Sequence, residues 1–129
     1  MGVATIVVDD PAGVRPLTVD VWFPLDAAVD AAALAPQRYT LLPDVYYESP
    51  TALVATPDLA AAGPFALIVY SHGSGGLRYI HSGYTELLAS HGYVVVAPDH
   101  TGNTAVDRLA GSSAAPEQIA LDRPTDVGR

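Results

Sequence analysis

Cysteine and lysine are both missing from this chain of 129 residues. Without cysteine there is no disulfide framework and no thiolate metal site, and the redox compartment stays open. Without lysine there is no Walker loop, whose lysine must reach the terminal phosphates of a nucleotide. Cations are scarce altogether: six arginines stand against fourteen Asp and Glu, a net charge of −8. That balance excludes DNA, RNA and an anionic membrane as partners, since all three need clustered positive charge. Apolar runs are too short to span a bilayer. The start, "MGVATIVVDDPAG", has no basic segment, no long apolar core and no small-residue cleavage site, so a cytoplasmic location is expected. Long polar tracts are lacking too, and half the residues are apolar, which points to one folded domain over 1–129.

What is present reads from the N-terminus as two strands. Residues 3–8, "VATIVV", are rich in β-branched side chains and are followed by the turn signal Asp9-Asp10-Pro11-Ala12-Gly13. Leu17 to Phe23 then alternates, with Leu17, Val19 and Val21 expected inward and Thr18 and Asp20 outward. Together these form an antiparallel hairpin. The stretch 26–64 is an Ala- and Pro-rich excursion, with prolines at 36, 43, 50, 57 and 64 but no matching residues between them. Ser49-Pro50 and Thr56-Pro57-Asp58 resemble N-caps with proline at the first helical position, so two short helices or turns are expected there.

Residues 65–100 carry a clearer pattern. Phe65 to Tyr70 is a continuous apolar run, as in a strand covered on both faces. Ile80, Tyr84, Leu87, Leu88 and His91 then recur at helical spacing, with Thr85, Glu86 and Ser90 on the polar side. Gly92 suits a left-handed cap, and Tyr93 to Ala97 is a second apolar strand. Strand, helix and strand over this length make a βαβ unit with parallel strands. Beyond Asp99 the chain loosens, and a last helix is expected to begin near Asp122-Arg123-Pro124 and to stop in mid-element.

The loop between strand and helix, Tyr70-Ser71-His72-Gly73-Ser74-Gly75-Gly76, is the candidate site. As a dinucleotide fingerprint it fails, because Gly73 and Gly75 are followed by Arg at 78. The histidines at 72, 81, 91 and 100 stand nine or ten residues apart, which fits no zinc motif. His91 reads as structural, and His81 as solvent-facing or helix-starting. No metal and no cofactor is expected. A sharp glycine turn after a buried strand can, however, aim backbone N–H groups at an oxyanion.

"PFALIVYSHGSGG", then "LLASHGYVVVAPDHTGNT", then "DRPTDV", resembles the N-terminal half of the α/β-hydrolases in their dienelactone-hydrolase and platelet-activating-factor-acetylhydrolase branch. The "RPLTVDVWFP" segment is similar as well. The resemblance implies an α/β fold and serine-type hydrolysis of a carboxylic ester, with a small ester, lactone or phospholipid-like substrate. It implies that the backbone N–H of Ser74 contributes to an oxyanion hole, that His72-Gly73 fixes the loop, and that Gly75 and Gly76 allow the substrate close. Asp99 and His100 would order a loop or border the substrate pocket. The nucleophile elbow Gly-x-Ser-x-Gly does not occur. Gly111-Ser112-Ser113-Ala114-Ala115 comes nearest, with no strand before it and no second glycine. The expectation is therefore an incomplete α/β-hydrolase domain, truncated before the elbow and lacking nucleophile, acid and base, so that the chain alone does not turn over. The alternative is a non-catalytic remnant, or one half of a split hydrolase that works only with a C-terminal complementing chain.

Overall fold

The computed structural model describes residues 1–10 and 15–128. Among them run the strands β1 (Gly2–Val8), β2 (Leu17–Phe23), β3 (Pro36–Leu42), β4 (Val45–Val54), β5 (Ala66–Val69) and β6 (Tyr93–Pro98). The α-helices are α1 (Ser82–Ser90), α2 (Ala105–Ala110) and α3 (Pro116–Val127). The strands form one sheet in the order β3-β4-β1-β2-β6-β5. It is mixed, because β4 pairs parallel with β1 and antiparallel with β3. This is the expected α/β class, with β1 beside β2, β6 beside β5, and α1 between β5 and β6 in the chain. The expected turn between β1 and β2 falls partly on residues 11–13, outside the described residues. No helix among the described residues is long and apolar enough to cross a membrane.

Two compact units divide the chain. The first comprises Met1–Ala4, Val21–Ile68 and His81–Val95. Its apolar core is built on Ala4, Phe23 and Ala55, with Leu25, Leu34 and Leu59 packed against them. Here the expected helices at 26–64 give way to the β3–β4 hairpin. Tyr39, Thr40, Tyr46 and Tyr47 are good strand formers, and they pair across it as Tyr39 with Tyr47 and Thr40 with Tyr46. Ser49-Pro50 is no N-cap; it lies inside β4. Pro50 is tolerated because pairing jumps from Arg38–Glu48 to Pro36–Leu53, leaving Ser49 to Ala52 as extra length. The Ser49 hydroxyl accepts from the amides of Thr51 and Ala52 within that bulge. The expected turn at Thr56-Pro57-Asp58 is present as a single 3₁₀ turn, Pro57–Leu59, with proline at its start.

Helix α1 presents the opposite face from the one its hydropathy suggests. Thr85, Glu86 and Ala89 are buried, whereas Ile80, Tyr84 and Leu87 are exposed. The reason is Glu86. Its Oε1 accepts from the Tyr39 hydroxyl at 2.9 Å, and its Oε2 accepts from Ser49 at 2.8 Å and Thr51 at 2.6 Å. Tyr39 in turn accepts from the indole N–H of Trp22 at 2.9 Å. Three hydroxyls aimed at one carboxylate outweigh the weak apolar stripe in fixing the rotation of so short a helix. Gly92, at φ +87°, follows α1 in the left-handed conformation expected of it. His91 is exposed, and its Nδ1 lies 2.8 Å from the Leu87 carbonyl, a structural contact at the helix end.

The second unit holds Thr5–Asp20, Val69–Ile80 and Val96–Arg129. Asp20, expected to face outward, is 0% exposed. Its Oδ1 accepts from the Thr5 hydroxyl at 2.6 Å and lies 2.9 Å from Arg78 Nε. Burial pulls the Arg78 guanidinium down, but Asp20 and Asp99 together more than offset it and hold it above its ordinary value. Helix α2, which the pattern did not announce, opens on a capping box: Thr104 accepts from the Asp107 amide while Asp107 accepts from the Thr104 amide. Helix α3 starts at Pro116, well before the expected Asp122, carries Pro124 inside it, and closes at Val127 with the Gly128 amide on the Thr125 carbonyl. Proline at the first helical position needs no N–H there, which is why Pro116 starts the helix.

Candidate functional site

All the loop residues singled out by sequence belong to the second unit, following β5. The Tyr70 amide donates to the Val96 carbonyl at 2.8 Å, which anchors the loop's entry. The chain then turns sharply: the Gly76 amide donates to the Gly73 carbonyl at 2.9 Å, with Gly75 at φ +69°. The loop's exit is pinned by Asn103, whose carbonyl accepts from the Gly75 amide at 3.0 Å. The Gly76 carbonyl accepts from the Ala105 amide at 2.9 Å, just where α2 begins.

Glycine is required at 75 and 76 for different reasons. At Gly75 the left-handed backbone disfavours a side chain, and a Cβ would meet the Arg108 guanidinium group at about 2.4 Å. At Gly76 a Cβ would lie 3.0 Å from the Gly73 carbonyl oxygen and 3.1 Å from His72 Nδ1. Close approach is therefore already taken up by Arg108 and His72 at these two positions. Open space lies at Gly73, where a Cβ would meet nothing within 4 Å. No acceptor among the described residues takes the amide of Gly73 or Ser74. The Ser74 hydroxyl is engaged elsewhere, donating to Asn103 Oδ1 at 3.0 Å and accepting from Arg108 at 3.0 Å.

His72 is fully buried, and its hydrogen bonds fix its tautomer. The His100 amide donates to Nε2 at 3.1 Å, so the proton sits on Nδ1 and is donated to the Gly73 carbonyl at 2.7 Å. The ring thus ties β6's end to the turn. Asp99 faces Arg78, accepting from its amide at 2.7 Å and from its guanidinium, while its own amide donates to Thr18. It orders the segment that follows the glycine loop.

His100 has a richer environment than the sequence suggests. Its Nδ1 lies 2.9 Å from Asp126 Oδ2 on α3, and its Nε2 lies 2.8 Å from the Ser71 hydroxyl. Burial lowers its pKa below the ordinary value of 6.5, with the hydrogen bond to Asp126 opposing and the neighbouring His72 and Arg123 adding to the depression. In the neutral ring the proton belongs on Nδ1, facing the carboxylate, and Nε2 is left to accept from Ser71. Arg15 also binds Asp126 Oδ2 at 3.1 Å. Arg123, from α3, donates to the Ser71 oxygen at 2.9 Å and to the His72 carbonyl.

A folded-state pKa below 6.5 has a consequence for stability. Between that lowered value and 6.5 the unfolded chain binds the extra proton and the folded chain does not, so stability falls as pH drops through this window. Urea denaturation from pH 8 down to pH ~5.5 is expected to show that loss, and His100→Gln to flatten it.

Sequence reading assigned Ser71 no role beyond its place in the loop, and assigned Asp126, Arg123, Arg15, Arg78 and Asp20 no role at the site. Asp126 is 26 residues from His100, and Arg123 is 52 from Ser71. No local spacing signals such pairings. A mixed sheet with a helix joining two of its strands, and a glycine turn after the first of them, is consistent with part of an α/β-hydrolase fold.

Comparison with family models gives the family within that class. The model described as platelet-activating factor acetylhydrolase, isoform II, matches residues 20–119, and the chain belongs to that family of the α/β-hydrolase superfamily. No curated protein and no solved structure matches the chain.

Proposed function

We propose that this chain contributes the oxyanion-stabilising half of a lipase- or esterase-like site, in which the Ser74 amide is one donor to the carbonyl oxygen of a small ester or phospholipid-like substrate. The unclaimed N–H of Ser74, beside the open space at Gly73, carries this reading. A backbone donor already fixed in place is worth most where negative charge develops. His72 holds the turn by its Nδ1–H to Gly73, and Asn103 and Arg108 occupy the Ser74 hydroxyl, so that the backbone is what remains to face a substrate. Family membership supports the ester chemistry.

The test replaces the Ser74 peptide N–H by an ester oxygen through semisynthesis, leaving the side chain in place. The rate to follow is hydrolysis of p-nitrophenyl acetate and of an acetylated glycerophospholipid analogue, by the chain together with a C-terminal complementing polypeptide. Loss of one oxyanion donor should lower kcat about 10²–10³-fold, while Ser74→Ala should leave it within a few-fold. An unchanged rate on the ester-for-amide exchange would remove Ser74 from the site.

The complementing chain itself is favoured by β5. This strand ends the sheet order, and its Leu67 is 62% exposed rather than covered on both faces. An exposed apolar edge pairs readily with another strand.

A further inference from the structure

We propose that Ser71 is a reactive nucleophile in its own right, activated by His100 as base and Asp126 as the group that orients that base. The inference does not rest on the Ser74 reading, and it needs no nucleophile elbow. A serine relay is recognised by geometry and roles rather than by position in the chain. The geometry is complete here: Ser71 Oγ to His100 Nε2 at 2.8 Å, and His100 Nδ1 to Asp126 Oδ2 at 2.9 Å. The order of the three in the chain, Ser71, His100, Asp126, is a consequence of the fold and has no bearing on the chemistry.

Each role follows from the surroundings. Asp126 is buried at 4% exposure, and its carboxylate faces the imidazole edge that must carry the proton. That leaves the Nε2 lone pair directed at the serine hydroxyl. Ser71 is exposed while His100 is buried, so a reagent can reach the oxygen and the base stays shielded. Arg123 supplies a fixed positive charge 2.9 Å from the same oxygen, which makes the hydroxyl more acidic and stabilises the alkoxide as it forms. Among the described residues no other serine has an imidazole nitrogen at such a distance with a buried carboxylate behind it; Ser90 faces His91 at 3.2 Å, on the surface.

The substrates are small acyl or phosphonyl donors with a good leaving group. Ser71 Oγ attacks the carbonyl carbon, or phosphorus, and its proton passes to His100 Nε2. The new O–C or O–P bond forms, the bond to the leaving group breaks, and the leaving group departs with the electron pair. His100 then gives its proton to the departing alkoxide or to water. While the imidazolium exists, Asp126 faces it favourably; His72, whose ring centroid is 4.8 Å away, and Arg123 disfavour it, and Arg15 competes for the same carboxylate oxygen. The relay is therefore tuned toward a neutral base and a modest acid, which suits a single acylation better than rapid turnover.

The chain as it stands can be treated with an alkyl fluorophosphonate and followed by intact mass and peptide mapping. One adduct is expected, on Ser71, and none in Ser71→Ala. Asp126→Asn, which keeps shape but turns the ring's partner, should slow labelling about 10²–10⁴-fold. Because that variant can also loosen α3, the pH profile of the unmodified sequence serves as a second measurement. Labelling should rise with pH and level off below pH 6.5, following the lowered pKa of His100. No adduct, an adduct at Ser112 or Ser113 instead, or a rate that climbs in proportion to hydroxide without a plateau would each overturn the proposal.

Discussion

Arg78→Ala should destabilise the protein by about 3–5 kcal/mol, the usual cost of breaking a buried ion pair from one side. Asp20 has no solvent to turn to, and its side chain is 0% exposed. Besides the guanidinium, the Thr5 hydroxyl on Oδ1 is its hydrogen-bond donor, while Oδ2 is buried without a partner. Removing the guanidinium would also take one donor from Asp99, leaving the amide of residue 78 to hold it at the end of β6. The loss amounts to a large share of the 5–15 kcal/mol that a domain commonly has. Equilibrium denaturation measures it. A paired change, Arg78→Met with Asp20→Asn, should recover much of the loss, because the penalty comes from the charge left behind and not from the pair itself. If the double variant is as unstable as the single one, packing of the arginine stem is the cause instead.

Tyr39→Phe has the second largest expected effect, about 3 kcal/mol for the loss of one oxygen atom. That oxygen accepts from Trp22 and donates to Glu86, so its removal strands an indole N–H and one carboxylate oxygen in the interior. Each unsatisfied buried group costs about 1–3 kcal/mol, and more when it is charged. Thermal melts of the variant should show the loss, and the Trp22 fluorescence should shift because its N–H has lost its acceptor. Thr51→Ala removes one donor from the other oxygen, Oε2, which keeps the Ser49 hydroxyl. It should therefore cost less than Tyr39→Phe, and an equal loss would show that Glu86 does not depend on its hydroxyl shell.

That same carboxylate explains where sequence reading went astray. Hydropathy placed Leu87 and Tyr84 inward on α1, yet the helix buries Thr85 and Glu86. A polar network satisfied by residues 35 to 47 positions away leaves no trace in a helical window. The β3–β4 hairpin was hidden in a similar way, because Pro50 reads as a helix start until the bulge around it is known. Asp20 followed the strand's alternation on paper and lost it to Arg78. By contrast β1, β2 and β6 were legible, since their β-branched runs leave little alternative, and so was the glycine turn. At the site, the loop could be read and its wiring could not. His72 and His100 were noticed; Asp126 and Arg123 lie on a helix whose start proline, Pro116, was not taken as one.

Arg123 gives the loop a timetable. Its contacts to Ser71 and the His72 carbonyl reach back 52 and 51 residues along the chain. At roughly 5–20 residues per second on the ribosome, the loop is made some 3–10 s before the arginine that clamps it. For the first part of that interval the turn also lacks Asn103 and Arg108, which follow their loop partners by 28 and 34 residues; through the rest it lacks only the arginine. Until Arg123 arrives, the Ser71–Gly76 loop of the nascent chain stays open to proteases and chaperones, and its last clamp closes only when α3 docks.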